Sequence, residues 1–266
     1  MVLQSLVSPF ITGSYDFWYL SFALPTAVVA ALLPQSWTST SSPFLNSAEL
    51  AQRGIAAPVP APPAGCQWVN VQAGYQINTG VDVSFGKSSF YEAKVEVPFL
   101  QHPYIKHTAP LAFKSTVLFS SLSMTASSEL ITGLRSRKTT FENQTDTFYR
   151  ADGWLTLEDG SDVASRTEAW SRDLVRETTQ GWFVGQGSGF SANKFTLEPK
   201  ESEQEHAQVS LQLNLPRFLA KSIQETRTLL ADSGVEMNDS GWIRVASTGW
   251  KLFDASKLES KPISKI

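Results

Sequence analysis

Apolar and polar residues alternate with a period of two along much of this chain, and that pattern restricts the fold more than any other feature. Trp68 to Tyr75 sets Val69, Val71, Ala73 and Tyr75 against Asn70, Gln72 and Gly74. Val209, Leu211, Leu213 and Leu215 alternate with Ser210, Gln212 and Asn214. In Phe90 to Phe99, Tyr91, Ala93, Val95 and Val97 oppose Glu92, Lys94, Glu96 and Pro98. Such segments are strands with one buried face. Trp154–Leu157 and Asp162–Trp170 flank Glu158-Asp159-Gly160-Ser161. This reads as a hairpin whose Asp-Gly supplies the positive φ of a tight turn. Further strands are expected at 14–23, 113–121, 136–149, 193–198 and 241–252.

Helix signals are few. Pro25–Leu33 has proline in its first turn and Pro34 as its stop. Asn46–Arg53 carries Asn46 and Glu49 at capping-box spacing, with Gly54 beyond. Pro216–Ser233 is expected as the longest helix, with Leu219, Ile223 and Leu230 as its apolar stripe and Gly234 closing it. Pro58–Gly65 reads as a surface loop between a helix and the next strand. The whole reads as one β-rich α+β domain over 1–266. Its core spans 10–255 and a polar, frayed tail spans 256–266. A curved antiparallel sheet or barrel surrounds a central cavity, with a few peripheral helices.

Composition excludes several functions. Lys and Arg total 22 against 25 Asp and Glu in 266 residues, with no concentrated basic patch, so nucleic acid is not an expected partner. The single cysteine, Cys66, allows neither an intramolecular disulfide nor a thiolate zinc cluster. Three histidines leave little material for a metal site, and no metal or other cofactor is expected. Met1–Leu33 contains no Lys, Arg or Glu, and its apolar run Pro25–Pro34 is too short for a bilayer. It reads as core structure of a cytoplasmic protein without a membrane partner. The sequons at Asn143 and Asn238 are then unused.

Few constellations suggest chemistry. Gly185-Gln186-Gly187-Ser188-Gly189 lacks both the Walker lysine and a following helix, and reads as a flexible connection. His102 and His107 read as surface residues. Glu92, Lys94 and Glu96 share one strand face. It is either a solvated ladder of charge or the lining of a barrel lumen where carboxylate and amine trade protons. Glu129–Phe141 is the densest basic stretch, with Ser136, Lys138 and Thr140 on one face and Arg135, Arg137 and Thr139 on the other. It is either an exposed edge or a pocket wall. In a pocket, a lysine beside another cation has a lowered pKa and becomes a nucleophile.

Three segments in this order resemble the acetoacetate decarboxylase-like superfamily, notably its fungal branch. Gly13-Ser14-Tyr15-Asp16-Phe17, leading into Pro25–Pro34, looks like the family's opening strand and helix. Tyr91-Glu92-Ala93-Lys94-Val95-Glu96-Val97-Pro98 looks like its Tyr-x-Glu strand. Glu129–Phe141 occupies the place of its Schiff-base lysine segment. An ungapped match puts Ser136 at the lysine's position, Arg137 next, and Lys138 two residues on. The resemblance implies the family's barrel and Glu92 as a site residue. It implies an enzyme of polyketide-type secondary metabolism. Such an enzyme would bind a hydrophobic keto or polyene intermediate and perform lyase, cyclase or isomerase chemistry by acid–base catalysis. Glu92, Lys138 and Arg137 are its expected catalytic groups, and Ser136, Tyr91 and Lys94 its expected substrate contacts. The alternatives are a Schiff-base decarboxylase using Lys138 and a non-catalytic carrier. A homo-oligomer is a possible state.

Overall fold

The computed structural model describes residues 11–39, 42–56, 58, 61–81, 87–104, 108–142, 144–145, 148–159, 172–187, 191–199, 205–231 and 233–263. The first elements are β1 (Ile11–Pro25), α1 (Thr26–Leu32), α2 (Gln35–Thr38), α3 (Ser47–Gln52), β2 (Cys66–Val81), β3 (Ser88–Leu100) and β4 (Leu111–Phe119). Then come α4 (Leu122–Thr132), β5 (Ser136–Lys138), β6 (Phe141–Glu142), β7 (Phe148–Ala151), β8 (Leu155–Asp159) and α5 (Arg172–Thr179). The last are β9 (Trp182–Val184), β10 (Ser191–Pro199), β11 (Glu205–Asn214), α6 (Leu215–Leu219), α7 (Ile223–Leu230) and β12 (Trp242–Pro262).

Seven strands close into a barrel in the order β1-β2-β3-β4-β9-β10-β12, with β12 returning to β1. Every pairing in the ring is antiparallel except β4–β9. Closure leaves these strands no free edge. A second sheet, β11-β8-β7-β6, branches from the first half of β12. The long β12 pairs with β11 over Trp242–Lys251 and with β1 over Gly249–Leu258. At Gly249, where both pairings overlap, a Cβ would stand 2.1 Å from Leu20 Cδ2 and 2.8 Å from the Tyr19 carbonyl oxygen. Only glycine lets the strands cross there.

The alternation sorts β2 and β3 into two faces as expected, but both faces are buried, not one. Val69, Val71, Ala73, Ala93 and Val95 point outward and pack against Leu157, Leu211 and Leu213 of the second sheet. Each such burial stabilises the fold by roughly 1.5–3 kcal/mol. The opposite face of the same strands lines the barrel. Pro58–Gly65 lies between β1 and β2, which pair with each other in one sheet, so both sides of that stretch share one structure.

Several expected elements differ. The single helix over 216–233 is two. Ala220 takes a left-handed conformation at φ 54° and ends α6. Ser222 and Glu225 then form a capping box that starts α7, and Ile223 is exposed. The longest helix is α4, in a stretch where none was expected. Its Ser/Thr-rich sequence has weak helix propensity and no apolar stripe. Ser121 caps its start and Gly133, at φ 66°, ends it. The expected strand over 136–149 is three short ones, β5 to β7. Over 256–263 the tail is not frayed: β12 runs on beside β10 to Pro262, and Leu258 and Ile263 are buried. The second arm of the hairpin, 162–170, lies outside the described residues. No described helix is long and apolar enough to cross a membrane.

Candidate active site

Inside the barrel, β3 carries Glu92, Lys94 and Glu96, and all three are buried. The solvated ladder is therefore replaced by a lumen. Buried charges persist only when paired and hydrogen-bonded, and each of these is. The Lys94 ammonium meets the Glu92 carboxylate in direct contact. Gln72 on β2 donates to Glu96 at 2.9 Å, and Gln76 donates to Glu92 at 3.4 Å. From the outer layer, the Tyr149 hydroxyl reaches the Glu92 and Gly74 carbonyl oxygens at 2.8 and 3.0 Å, pinning the backbone beneath the carboxylate.

The fourth charge is Lys114 on β4, which the alternation pattern did not single out. It is 2% exposed and sits in register opposite Glu96, with 4.0 Å between ammonium and carboxylate. A β-bulge puts it there. Val95 pairs with Thr116 and Glu96 with Lys114, so Ser115 has no partner across the ladder. The extra residue shifts the alternation by one. Val117 and Phe119 beyond the bulge and Lys114 before it all face the interior, as bulges beside functional sites commonly arrange. The Lys114 nitrogen lies 3.5 Å from the centroid of the Phe183 ring. Both lysines approach Phe195, at 5.2 Å for Lys94 and 4.9 Å for Lys114. Burial, and then the positive charge of Lys94, lower the Lys114 pKa from 10.5 to about 7, against the smaller opposing pull of Glu96 and Glu92.

These groups border a cavity of about 70 Å³. Phe90, Phe119, Phe183, Phe195 and Leu134 supply apolar wall, and Glu92, Lys94 and Lys114 the charge. Helix α4 contributes Ser127, Ser128 and Thr132. The arrangement places an amine of lowered pKa, a second lysine and a carboxylate around one small cavity. Among the described residues no three His, Cys, Asp or Glu side chains converge as a metal would need.

The expected residues divide. Glu92 and Lys94 reach the cavity. Ser136 is buried beside it and donates to Ser128 at 3.1 Å. Lys138 and Arg137 do not reach it. Strand β5 pairs only with the end of β4, Lys138 opposite Phe119, so the strand emerges at the rim and Lys138 is exposed. Arg137 turns to the surface, bonding the Ser136 carbonyl at 2.8 Å and Glu129 at 3.4 Å. Tyr91 faces outward, stacked on Phe141 and tilted against Tyr75, because it has the opposite parity to Glu92. His102 is also not a surface residue: it is buried edge-on to Trp37, and burial lowers its pKa. His107 lies outside the described residues. Gly185 and Gly187 pack on the loop after α4. A Cβ on Gly185 would stand 2.6 Å from Leu134, and the Gly187 N–H donates to the Gly133 carbonyl at 2.7 Å.

No protein-family model matches the sequence, and no curated protein sequence matches it. Solved structures do. An acetoacetate decarboxylase from Legionella pneumophila superposes with a TM-score of 0.50 at 10% identity, over 97% of this chain and 88% of that one. The enduracididine biosynthesis enzyme MppR gives 0.49 at 8% identity, over 97% and 89%. An acetoacetate decarboxylase-like enzyme from Sphingomonas wittichii gives 0.41 at 10%, over 95% and 92%. The first likeness carries the fold: this chain is built on the acetoacetate decarboxylase-like barrel.

Proposed function

We propose that this acetoacetate decarboxylase-like barrel is an enzyme that activates a small carbonyl compound as an iminium on Lys114. The observation that carries the reading is the placement of Lys114. Its amine is buried at the cavity, near Lys94, and its pKa is lowered to about 7. An ordinary exposed lysine is almost wholly protonated there and cannot attack. The neutral amine adds to the carbonyl carbon to give a carbinolamine. That intermediate takes a proton on its hydroxyl and loses water, leaving a protonated imine. The iminium then accepts the electron pair of a bond to the α-carbon, and water finally releases product and restores the amine. Glu92 is the group placed to carry the proton. Lys94 holds the Glu92 carboxylate in place and, by repulsion, helps keep the Lys114 pKa low. Four buried ionisable groups are a costly way to hold an inert hydrophobic cargo, which favours catalysis over a carrier. The cavity volume supports a small keto compound over an extended polyene.

A second reading rests on the Glu92–Lys94 contact: enolisation of a bound ketone by Glu92, with the lysines stabilising the enolate and no covalent bond. Borohydride reduction in the presence of a small ketone separates the two. The covalent reading expects a reduced adduct on the peptide containing Lys114, absent from Lys114→Ala and unchanged in Lys138→Ala. Undiminished α-proton exchange in Lys114→Ala, with no trapped adduct on wild type, would transfer the function to the second reading.

A further inference from the structure

The charges that surround Lys114 also select its substrate. We infer that the carbonyl compound this site activates is an uncharged ketone or aldehyde, not a keto acid. The inference rests on the Lys114 iminium reading and deepens it. Within the barrel the described ionisable groups near the cavity are Glu92, Glu96, Lys94 and Lys114, each at most 5% exposed. The Lys94 ammonium is committed to Glu92 by direct contact. The other polar groups on the wall, Gln76, Thr79, Ser127, Ser128 and Thr132, are uncharged, and no arginine among the described residues lines the cavity.

When Lys114 attacks, its amine is neutral, and the described groups at the site then amount to two carboxylates against one ammonium. A substrate carboxylate would bring one more negative charge among buried groups and apolar wall, where the one remaining ammonium is already engaged, which is expensive. An uncharged carbonyl compound avoids that cost. Its iminium also restores the cation that Lys114 gave up, so two carboxylates again face two cations, with Glu96 nearest the new charge. The bond whose electrons the iminium receives is then an α-carbon C–H or C–C bond. Loss of the proton to Glu92 gives an enamine, which takes up a proton or a carbonyl carbon. No carbon dioxide is released.

Pyruvamide and pyruvate differ in charge and hardly in shape, and they test this directly on the full chain. Each is incubated with borohydride at equal concentration, and the adduct is read by intact mass and mapped to Lys114. The expected result is a labelling rate for pyruvamide that exceeds that for pyruvate by about tenfold or more, once each compound's own rate with free lysine is divided out. Glu96→Gln, which removes one negative charge without touching the cavity wall, should narrow that ratio several-fold. Pyruvate labelling as fast as pyruvamide, or a ratio indifferent to Glu96→Gln, overturns the inference while leaving the Lys114 amine in place. Labelling by neither compound, in protein whose thermal unfolding is cooperative, overturns the amine reading and this inference together.

Discussion

Lys114 and Lys138 belong to adjacent paired strands, five residues apart when projected onto β4, and they have opposite fates. Lys114 stands mid-strand, where the bulge at Ser115 turns it into the barrel against Glu96 and Phe183. Lys138 stands at the end of a three-residue strand, level with Phe119, and is exposed. Burial and a neighbouring cation do lower the pKa of an amine here, but the amine is Lys114 and the cation is Lys94, across the ladder. Arg137, beside Lys138 in sequence, bonds the surface carboxylate of Glu129 instead. Company in sequence is a poor guide to company in space on a strand, because successive side chains leave on opposite faces.

The contrast is breakable. Lys114→Ala should cost on the order of 10³-fold or more in α-proton exchange of a small ketone, followed by NMR in deuterated water, the scale of losing a covalent nucleophile. Lys138→Ala should stay within about twofold, since it touches nothing in the cavity. Equal losses in the two variants would erase the distinction between wall and rim. Glu92→Gln should cost roughly 10²-fold in the same assay, the usual scale for a missing acid–base group, while the protein still traps ketone at Lys114. Wild-type exchange in that variant would remove Glu92 from the site.

Two smaller effects are read against pH. Exchange should rise as pH rises through about 7, where Lys114 loses its proton. Lys94→Met should move that inflection upward, because the repulsion that helps lower the Lys114 pKa is gone. An unmoved inflection would deny the coupling. Stability should follow the same group. Folded Lys114 binds its proton less tightly than the unfolded residue, whose pKa is near 10.5. Between about 7 and 10.5 the unfolded chain therefore holds more protons at this position, and its contribution to stability improves as pH rises. Lys114→Met should flatten that slope in urea unfolding measured across this window, and Lys138→Met should leave it intact.

The alternation on β2 and β3 separated their two faces from the residues alone and placed Glu92 and Lys94 together, but left open whether that face met solvent or a lumen. The resemblance to the acetoacetate decarboxylase-like superfamily led to the same barrel. Lys114 escaped for a physical reason. Strand β4 is buried on both faces, so its sequence carries no polar–apolar contrast to read. Its bulge further reverses the parity at the one position that matters. The trace it leaves is a lone lysine between Phe113 and Ser115 in an otherwise uncharged strand, a residue such a position keeps only for a reason. Helix α4 escaped because its Ser and Thr residues favour no element strongly, and its ends are held by Ser121 and Gly133.

By itself, the sequence determined that β1 to β4 and β11 are strands, which face of β3 carries charge, and where the capping box of α3 falls. These depend on neighbours within a few residues. Tertiary structure alone decided that β12 closes on β1, that Ser115 bulges, and that the amine set against Glu96 at the cavity is Lys114. Each of those turns on how one strand registers against another, where a shift of one residue exchanges the inside of the barrel for the outside.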